Sequence, residues 1–329
     1  DATAGLRLAS NSDLMIAAAE YEYSHDRFRQ CYALSSQVLA CDPFEQSVLP
    51  IHICSMARLS LHSDLFSLAH RLVEAYPHQA IPWFAVGCYY YMIGDFESAR
   101  RYFSRATSLN HRFAPAWVGF GHAFAAQDES DQAMAAYRTA TRLFPGSHTP
   151  WLAIGMEYQR TSHLPLALQY ITQALSIAPH EPQVLHELGV LHYSTGKWAE
   201  AASFFLQVAH HPGAFDDSTR EPSIFNLGHT YRKMKRLDEA IKWYRAALAI
   251  NPHAASTYAA LGFTHHLNGE VDTAIDLYHH SLSLKPDDTF TSEMLSEALK
   301  DALLLTPDPT FLLPPASPMQ AMGLGGQSG

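Results

Sequence analysis

Residues 83–107 read WFAVGCYYYMIGDFESARRYFSRAT, and residues 117–141 read WVGFGHAFAAQDESDQAMAAYRTAT. Aromatic and small residues recur at the same places in both segments, 34 residues apart. The matched pairs are Trp83 and Trp117, Gly87 and Gly121, Tyr90 and Phe124, Ala99 and Ala133, Phe103 and Tyr137, and Ala106 and Ala140. The spacing indicates one structural unit that occurs twice in succession.

The same register extends in both directions. The position of Gly87 and Gly121 is occupied in turn by Ala19, Ile53, Gly87, Gly121, Gly155, Gly189, Gly228 and Gly262. The step is 34 residues throughout, except between Gly189 and Gly228, where five residues are inserted. A 34-residue period is typical of the tetratricopeptide repeat, a pair of antiparallel helices A and B that cannot bury its apolar face without neighbours.

The predicted fold is therefore all-α: a tetratricopeptide-repeat solenoid, wound as a right-handed superhelix of about eight helix pairs, with a C-terminal capping helix. Residues 1–11 are expected to be a linker or the end of a preceding repeat, so that the chain is a fragment of a longer array. Residues 12–288 form the repeat array, 289–305 the capping helix, and 306–329 a disordered tail rich in Pro and Gly. The repeats begin near Ser12, Gln46, Ala80, Ala114, His148, Pro182, Glu221 and Ala255.

Helix boundaries are marked by proline, which cannot continue a helix. Pro43, Pro77, Pro145, Pro179, Pro252 and Pro286 each follow a predicted B helix. The insertion lies at 210–220. The sixth B helix is expected to end at or before His211, and the chain then forms a loop that leads into Glu221 and Pro222. Such a loop is either a tolerated surface feature or part of a binding face.

Composition narrows the possible functions. The net charge is −10, from 22 basic and 32 acidic residues, which disfavours nucleic acid as a partner. The basic run at 232–236 is interpreted as a solvated helix end that complements the helix dipole. No apolar run is long enough to cross a membrane. The four cysteines have no CxxC spacing, which favours a reducing, intracellular compartment.

No catalytic or metal-binding motif occurs in the chain. Twenty histidines are present, but the adjacent pairs at 210–211, 265–266 and 279–280 point in different directions on a helix and cannot chelate one ion. No GxSxG, P-loop or HExxH motif is found. We therefore predict no enzyme activity, no metal and no cofactor.

The remaining chemistry is that of a groove lined by the A helices. Positions 2, 5, 9 and 12 of each repeat are expected to face the concave side, where an extended or helical peptide can bind. A carboxylate clamp of the chaperone type is disfavoured, because His186 and Val190 replace its Lys and Asn. The inward positions of the fifth to eighth repeats include Leu152, Met156, Gln159, His186, Val190, Tyr193, Phe225, His229, Arg232, Ala259, Phe263 and His266. Asn226, which matches the remaining clamp position, is also a candidate groove residue.

Several strings exceed the generic repeat pattern. They include IPWFAVGCYY at 81–90, GMEY at 155–158, HELGV at 186–190, NLGH at 226–229 and PDDTF at 286–290. In these the chain resembles the cell-division-cycle sixteen type subunits of the anaphase-promoting complex, or cyclosome, from about Asn11 to Leu295.

The resemblance implies a non-catalytic scaffold subunit of a cell-cycle ubiquitin ligase, present in nucleus and cytoplasm. In that family N-terminal repeats, absent here, form a homodimer. The C-terminal repeats hold the N-terminal segment of a small accessory subunit. The alternative is a free-standing peptide-binding adaptor or co-chaperone, and a third possibility is the repeat arm of an enzyme. Thr306 and Ser317 each precede a proline and are predicted phosphorylation sites.

Overall fold

The computed structural model describes residues 11–25, 27–211 and 217–305, and over these ranges the chain is all-α, with seventeen helices and no strand. This confirms the predicted fold class. The helices are α1 Ser12–Ser24, α2 Phe28–Cys41, α3 Leu49–Arg58, α4 His62–Ala75, α5 Ala80–Met92, α6 Phe96–Leu109, α7 Ala114–Ala125, α8 Ser130–Leu143, α9 His148–Arg160, α10 Leu164–Ile177, α11 Pro182–Ser194, α12 Trp198–Ala209, α13 Asp217–Lys233, α14 Leu237–Ile250, α15 Ala255–Leu267, α16 Val271–Leu284 and α17 Thr289–Leu305.

The turn from each A helix to its B helix has one conformation from the second repeat onward. The last residue of the turn bonds back in a Schellman motif, as where the Glu129 N–H donates to the Phe124 carbonyl over 3.0 Å. The preceding residue has a positive φ near 60–80°, which only glycine adopts without strain. Three repeats place Gly there and four do not: the positions are Ser60, Gly94, Asp128, Ser162, Gly196, Lys235 and Gly269.

Helices A and B of a repeat touch through a small residue and a large one. In the fourth repeat, a Cβ added to Gly121 would lie 2.3 Å from the ring of Tyr137, which is 1% exposed. In the seventh repeat Gly228 meets the ring of Tyr244 in the same way, at 2.6 Å. Such distances leave no room for a side chain, so glycine is required by the close packing of the two helices.

The chain divides into two compact units, residues 1–252 and 253–329. In the first unit, buried clusters follow one another along the repeats; the largest joins α3 to α7 and includes Phe84 and Phe103. In the second unit, α15–α17 share a cluster around Tyr278, with Ala298 of α17 fully buried in it.

The seventh repeat differs from the prediction. A loop was expected up to Arg220, but α13 already begins at Asp217 and contains Pro222. Proline at 222 lacks the N–H that would bond to the Ser218 carbonyl. The Ser223 hydroxyl donates to the Thr219 carbonyl over 2.8 Å, one position further along. The Glu-Pro pair resembled a helix start, which is why the sequence suggested a later beginning.

Candidate partner groove

The predicted groove residues all lie on A helices. Those of the first unit belong to α9, α11 and α13, and those of the second unit belong to α15. Eleven of them retain some exposed surface, and Met156 is exposed by 37%. The first-unit residues are Met156, Gln159, His186, Val190, Tyr193, Phe225, Asn226, His229 and Arg232; the second-unit residues are Phe263 and His266. Leu152 and Ala259 were also expected to face the groove, but they are only 3% and 4% exposed because they pack into the core.

The densest group of these residues is on α13. The ring of Phe225 packs edge-on against His229, with ring centroids 4.4 Å apart, and against Tyr244 of α14 at 5.9 Å. Nδ1 of His229 lies 2.9 Å from the Tyr244 hydroxyl and 3.0 Å from Nη2 of Arg232. These bonds place Nδ1 as an acceptor, and burial, together with Arg232 and Lys233, lowers the pKa of His229 to about 4. The imidazole is therefore neutral near pH 7.

A second histidine joins two neighbouring A helices. Nδ1 of His186 on α11 is hydrogen-bonded to the Ser223 hydroxyl of α13, 2.7 Å away. Its ring also packs against Phe205, with centroids 5.7 Å apart. Burial lowers the pKa of His186 to about 4. A neutral imidazole thus joins α11 and α13 through a hydrogen bond.

The side chains between these groups are less constrained. Val190, Tyr193 and Asn226 are half-buried. Gln159 keeps its Oε1 atom buried, with no hydrogen-bond partner in the described part of the chain.

The two groove residues of the second unit make contacts with α17. The Phe263 ring lies 6.1 Å from that of Phe290, and Nε2 of His266 lies 2.9 Å from Oδ2 of Asp301. Both side chains remain half-buried rather than enclosed. The last helix therefore covers part of each residue.

Sequence analysis missed an equivalent histidine in the fourth repeat. Nδ1 of His122 lies 2.8 Å from the Tyr137 hydroxyl, repeating the pair of His229 and Tyr244. Burial, and to a smaller degree the Arg58 guanidinium, lowers the pKa of His122 to about 4. The shared string Gly-His, followed 15 residues later by Tyr, was the available signal.

Sequence analysis also missed a contact between two distant repeats of the first unit. Nη2 of Arg58, at the end of α3, donates to Oε1 of Gln183 on α11 over 3.2 Å. The guanidinium of Arg58 also lies 5.4 Å from the ring centre of Phe28. The two residues are 125 apart in sequence, so this hydrogen bond brings the end of the second A helix close to the start of the sixth A helix.

Other predictions concern features outside the groove. Thr306 and Ser317 lie outside the described residues. Within the described ranges, no three His, Cys, Asp or Glu side chains are placed to hold a metal ion. None of the helices described is both long and apolar enough to cross a membrane.

Comparison with family models supports the repeat assignment. The model described as tetratricopeptide repeat matches residues 84–148 and 152–217, and the model described as TPR repeat matches residues 228–269. Together they cover more than half of the chain. The chain belongs to the tetratricopeptide-repeat family.

Within that family the chain resembles the Cdc16, or APC6, type of subunit, as the sequence analysis indicated. It is 44% identical to the human Cell division cycle protein 16 homolog over 298 residues, which are 89% of this chain and 48% of that protein. It is 46% identical to Anaphase-promoting complex subunit 6 of Arabidopsis thaliana over 297 residues, 90% of this chain and 54% of that protein. The chain thus spans about half the length of these curated relatives.

A solved structure is similar as well. It is the crystal structure of the APC/C hetero-tetramer Cut9-Hcn1, which matches with a TM-score of 0.80 and 31% identity. The match covers 89% of this chain and 56% of the solved one.

Proposed function

We propose that the chain is a non-catalytic scaffold of an anaphase-promoting complex and holds a small accessory subunit, the counterpart of Hcn1, in its groove. The observation that carries this proposal is the similarity to Cut9, whose structure was solved as a hetero-tetramer with Hcn1. The proposed contacts are the eleven groove residues named above, including Phe263 and His266 in the second unit.

The chemistry of the groove supports a peptide ligand. Phe225, Tyr193 and Met156 offer apolar surface that a ligand would cover. Neutral imidazoles and the half-buried amide side chain of Asn226 offer acceptors and donors for a peptide backbone. Aromatic side chains in such positions tend to dominate binding energy. The four cysteines are free thiols, which fits the proposed location in nucleus and cytoplasm.

The first experiment separates a complex subunit from a free adaptor. The tagged chain is purified from cells of its own organism at mild ionic strength. Recovery of a large assembly with other anaphase-promoting complex subunits supports the scaffold. Recovery of chaperones without those subunits would instead favour an adaptor or co-chaperone.

The second experiment tests the groove. Calorimetry measures binding of the purified Hcn1 counterpart to the chain and to the variant Tyr193→Ala/Phe225→Ala. We expect the variant to bind at least about tenfold more weakly, since truncating a buried aromatic anchor costs on the order of 2 kcal/mol. Phe144→Ala is the matched control, because Phe144 is 61% exposed just after the B helix α8. Equal affinity of a folded double variant and the wild type would place the partner elsewhere.

We further propose that Thr306 and Ser317 are phosphorylated in mitosis, on the basis of the proline that follows each. Phosphorylation would add about −1.5 to −2 charges per site. Mass spectrometry of mitotic and interphase material tests this; the absence of both modified peptides from well-covered mitotic samples would refute it.

A further inference from the structure

One face of α11 is directed into the space between the second and sixth repeats. Gln183, Glu187 and Val190 follow at intervals of four and three residues, which places them on the same side of the helix. Gln183 is hydrogen-bonded to Arg58 of the second A helix. Glu187, one turn further on, therefore shares the face that is turned across the groove.

Glu187 on α11, like Glu221 on α13, is a half-buried acidic residue of an A helix whose pKa is raised by burial. The Glu187 carboxyl group makes no ion pair or hydrogen bond in the described part of the chain. Burial raises the pKa of Glu187 to about 7. By contrast, Glu157 on the neighbouring A helix is 7% exposed and bonds to Arg160 at 3.0 Å. The Glu187 oxygens are not among the inaccessible atoms that lack a partner, so a ligand can reach them. A partly buried carboxylate without a partner favours a ligand that brings a positive charge.

The cation found on this face does not reach Glu187. Arg58 is bonded to Gln183, and burial is the only influence that shifts the pKa of Glu187. A ligand group with a positive charge and several N–H donors would pair with the Glu187 carboxylate.

We infer that Glu187 selects the partner's segment by binding one of its Lys or Arg side chains in the groove of the first unit. The inference rests on the proposed function, since it assigns the chemistry of the same groove. The occupant is a basic segment whose aliphatic portions contact Val190 and Tyr193, while its charged end reaches the carboxylate. A neutral or acidic segment would leave the carboxyl group unpaired.

The test compares two isosteric substitutions in one repeat. Calorimetry at pH 8, where Glu187 is largely ionised, measures binding of the Hcn1 counterpart to wild type, Glu187→Gln and Glu200→Gln. Glu200 lies on the B helix α12 and is exposed, so it serves as control. We expect Glu187→Gln to weaken binding at least about tenfold and Glu200→Gln to change it less than about twofold.

A measurement without partner separates recognition from a structural role. Because Glu187→Gln removes an unpaired buried charge, the free variant should melt at a higher temperature than the wild type while binding more weakly. A glutamate with a structural role would lose stability on the same change. Equal affinities of wild type and Glu187→Gln would overturn the inference and leave the proposed function intact; failure of the wild type to bind would remove the proposed function itself.

A mutant cycle identifies the cation. Each Lys and Arg of the partner's bound segment is changed in turn to Gln and titrated against wild type and Glu187→Gln. Changing one basic residue should weaken binding to the wild type about tenfold and should hardly change binding to Glu187→Gln. If no basic residue couples to Glu187, the inference is wrong.

Discussion

The second repeat and the last six solve the same packing problem with opposite residues. In the later repeats, glycine on helix A faces a large side chain on helix B, as Gly121 faces Tyr137. At the corresponding positions of the second repeat, Ile53 stands on helix A and Ala69 on helix B, and both are buried. The first repeat has Ala19 and Ser35 there, each 0% exposed.

The second repeat teaches that helix A can carry the large residue where helix B carries the small one. The first repeat has two small residues, and its Ser35 hydroxyl lies 2.7 Å from Nδ1 of His52 on the next A helix. The residue on helix B also matters for the groove. Only where it is tyrosine can its hydroxyl group bond to a histidine of helix A, as it does with His122 and His229. The absence of glycine made the first two repeats look degenerate, yet their contact is as fully buried as the others.

The strongest test exchanges one arrangement for the other. Tyr137→Ala should lower the free energy of unfolding by about 3–5 kcal/mol, and Gly121→Ile by about 1–3 kcal/mol, through a cavity and through overpacking. The combined variant imitates the second repeat and should lose clearly less than the sum, as measured by urea unfolding. Strict additivity would show that the two positions do not share one volume.

The second prediction concerns acid. Below its unfolded pKa of about 6.5, His122 can bind a proton only in the unfolded state until the pH approaches its folded pKa of about 4. The stability that the neutral imidazole contributes is complete above pH 6.5 and is lost as the pH falls toward 4. We expect a loss on the order of 1 kcal/mol between pH 7.5 and 5, reduced in His122→Gln.

The control for the loss of stability at low pH is His70→Gln, because His70 is 67% exposed. This variant should lose stability with falling pH as the wild type does. If His122→Gln and His70→Gln show the same pH dependence, the buried pair with Tyr137 is not the titrating group.

The smallest expected effect concerns the residue with positive φ in the turn between helices A and B. Lys235 has φ +61°, where other repeats place Gly94 or Gly196. Lys235→Gly should raise stability by about 0.5–1 kcal/mol by relieving backbone strain. Gly94→Ala, the reverse change, should lower it by a similar amount. Thermal unfolding of both variants is the measurement, and a loss of stability in Lys235→Gly would contradict the strain argument.

Much of the fold could be predicted, because its information is local. The repeat period, the glycine positions and the prolines after the B helices all act within one helix pair. The beginning of α13 at Asp217 was missed, because proline at Pro222 suggested a helix start and only the structure shows the extra turn.

Prediction of the groove went less far. The inward positions follow from helical periodicity, so the sequence could propose Phe225, His186 and their neighbours as one lining. It could not show that Phe225 packs on His229, or that α17 lies against Phe263 and His266. Those contacts depend on how helices are angled against each other, which a period does not encode.

By itself, then, the sequence determined the repeating helix pair, the order of the helices and the places where small and large residues must meet. Only the tertiary structure decided that Arg58 reaches Gln183 and that Glu187 is half-buried without a partner in the described part of the chain. The reason is physical. Helix formation and turn geometry depend on residues a few positions apart, whereas burial and charge pairing across the groove depend on the small rotation that each repeat adds to the next.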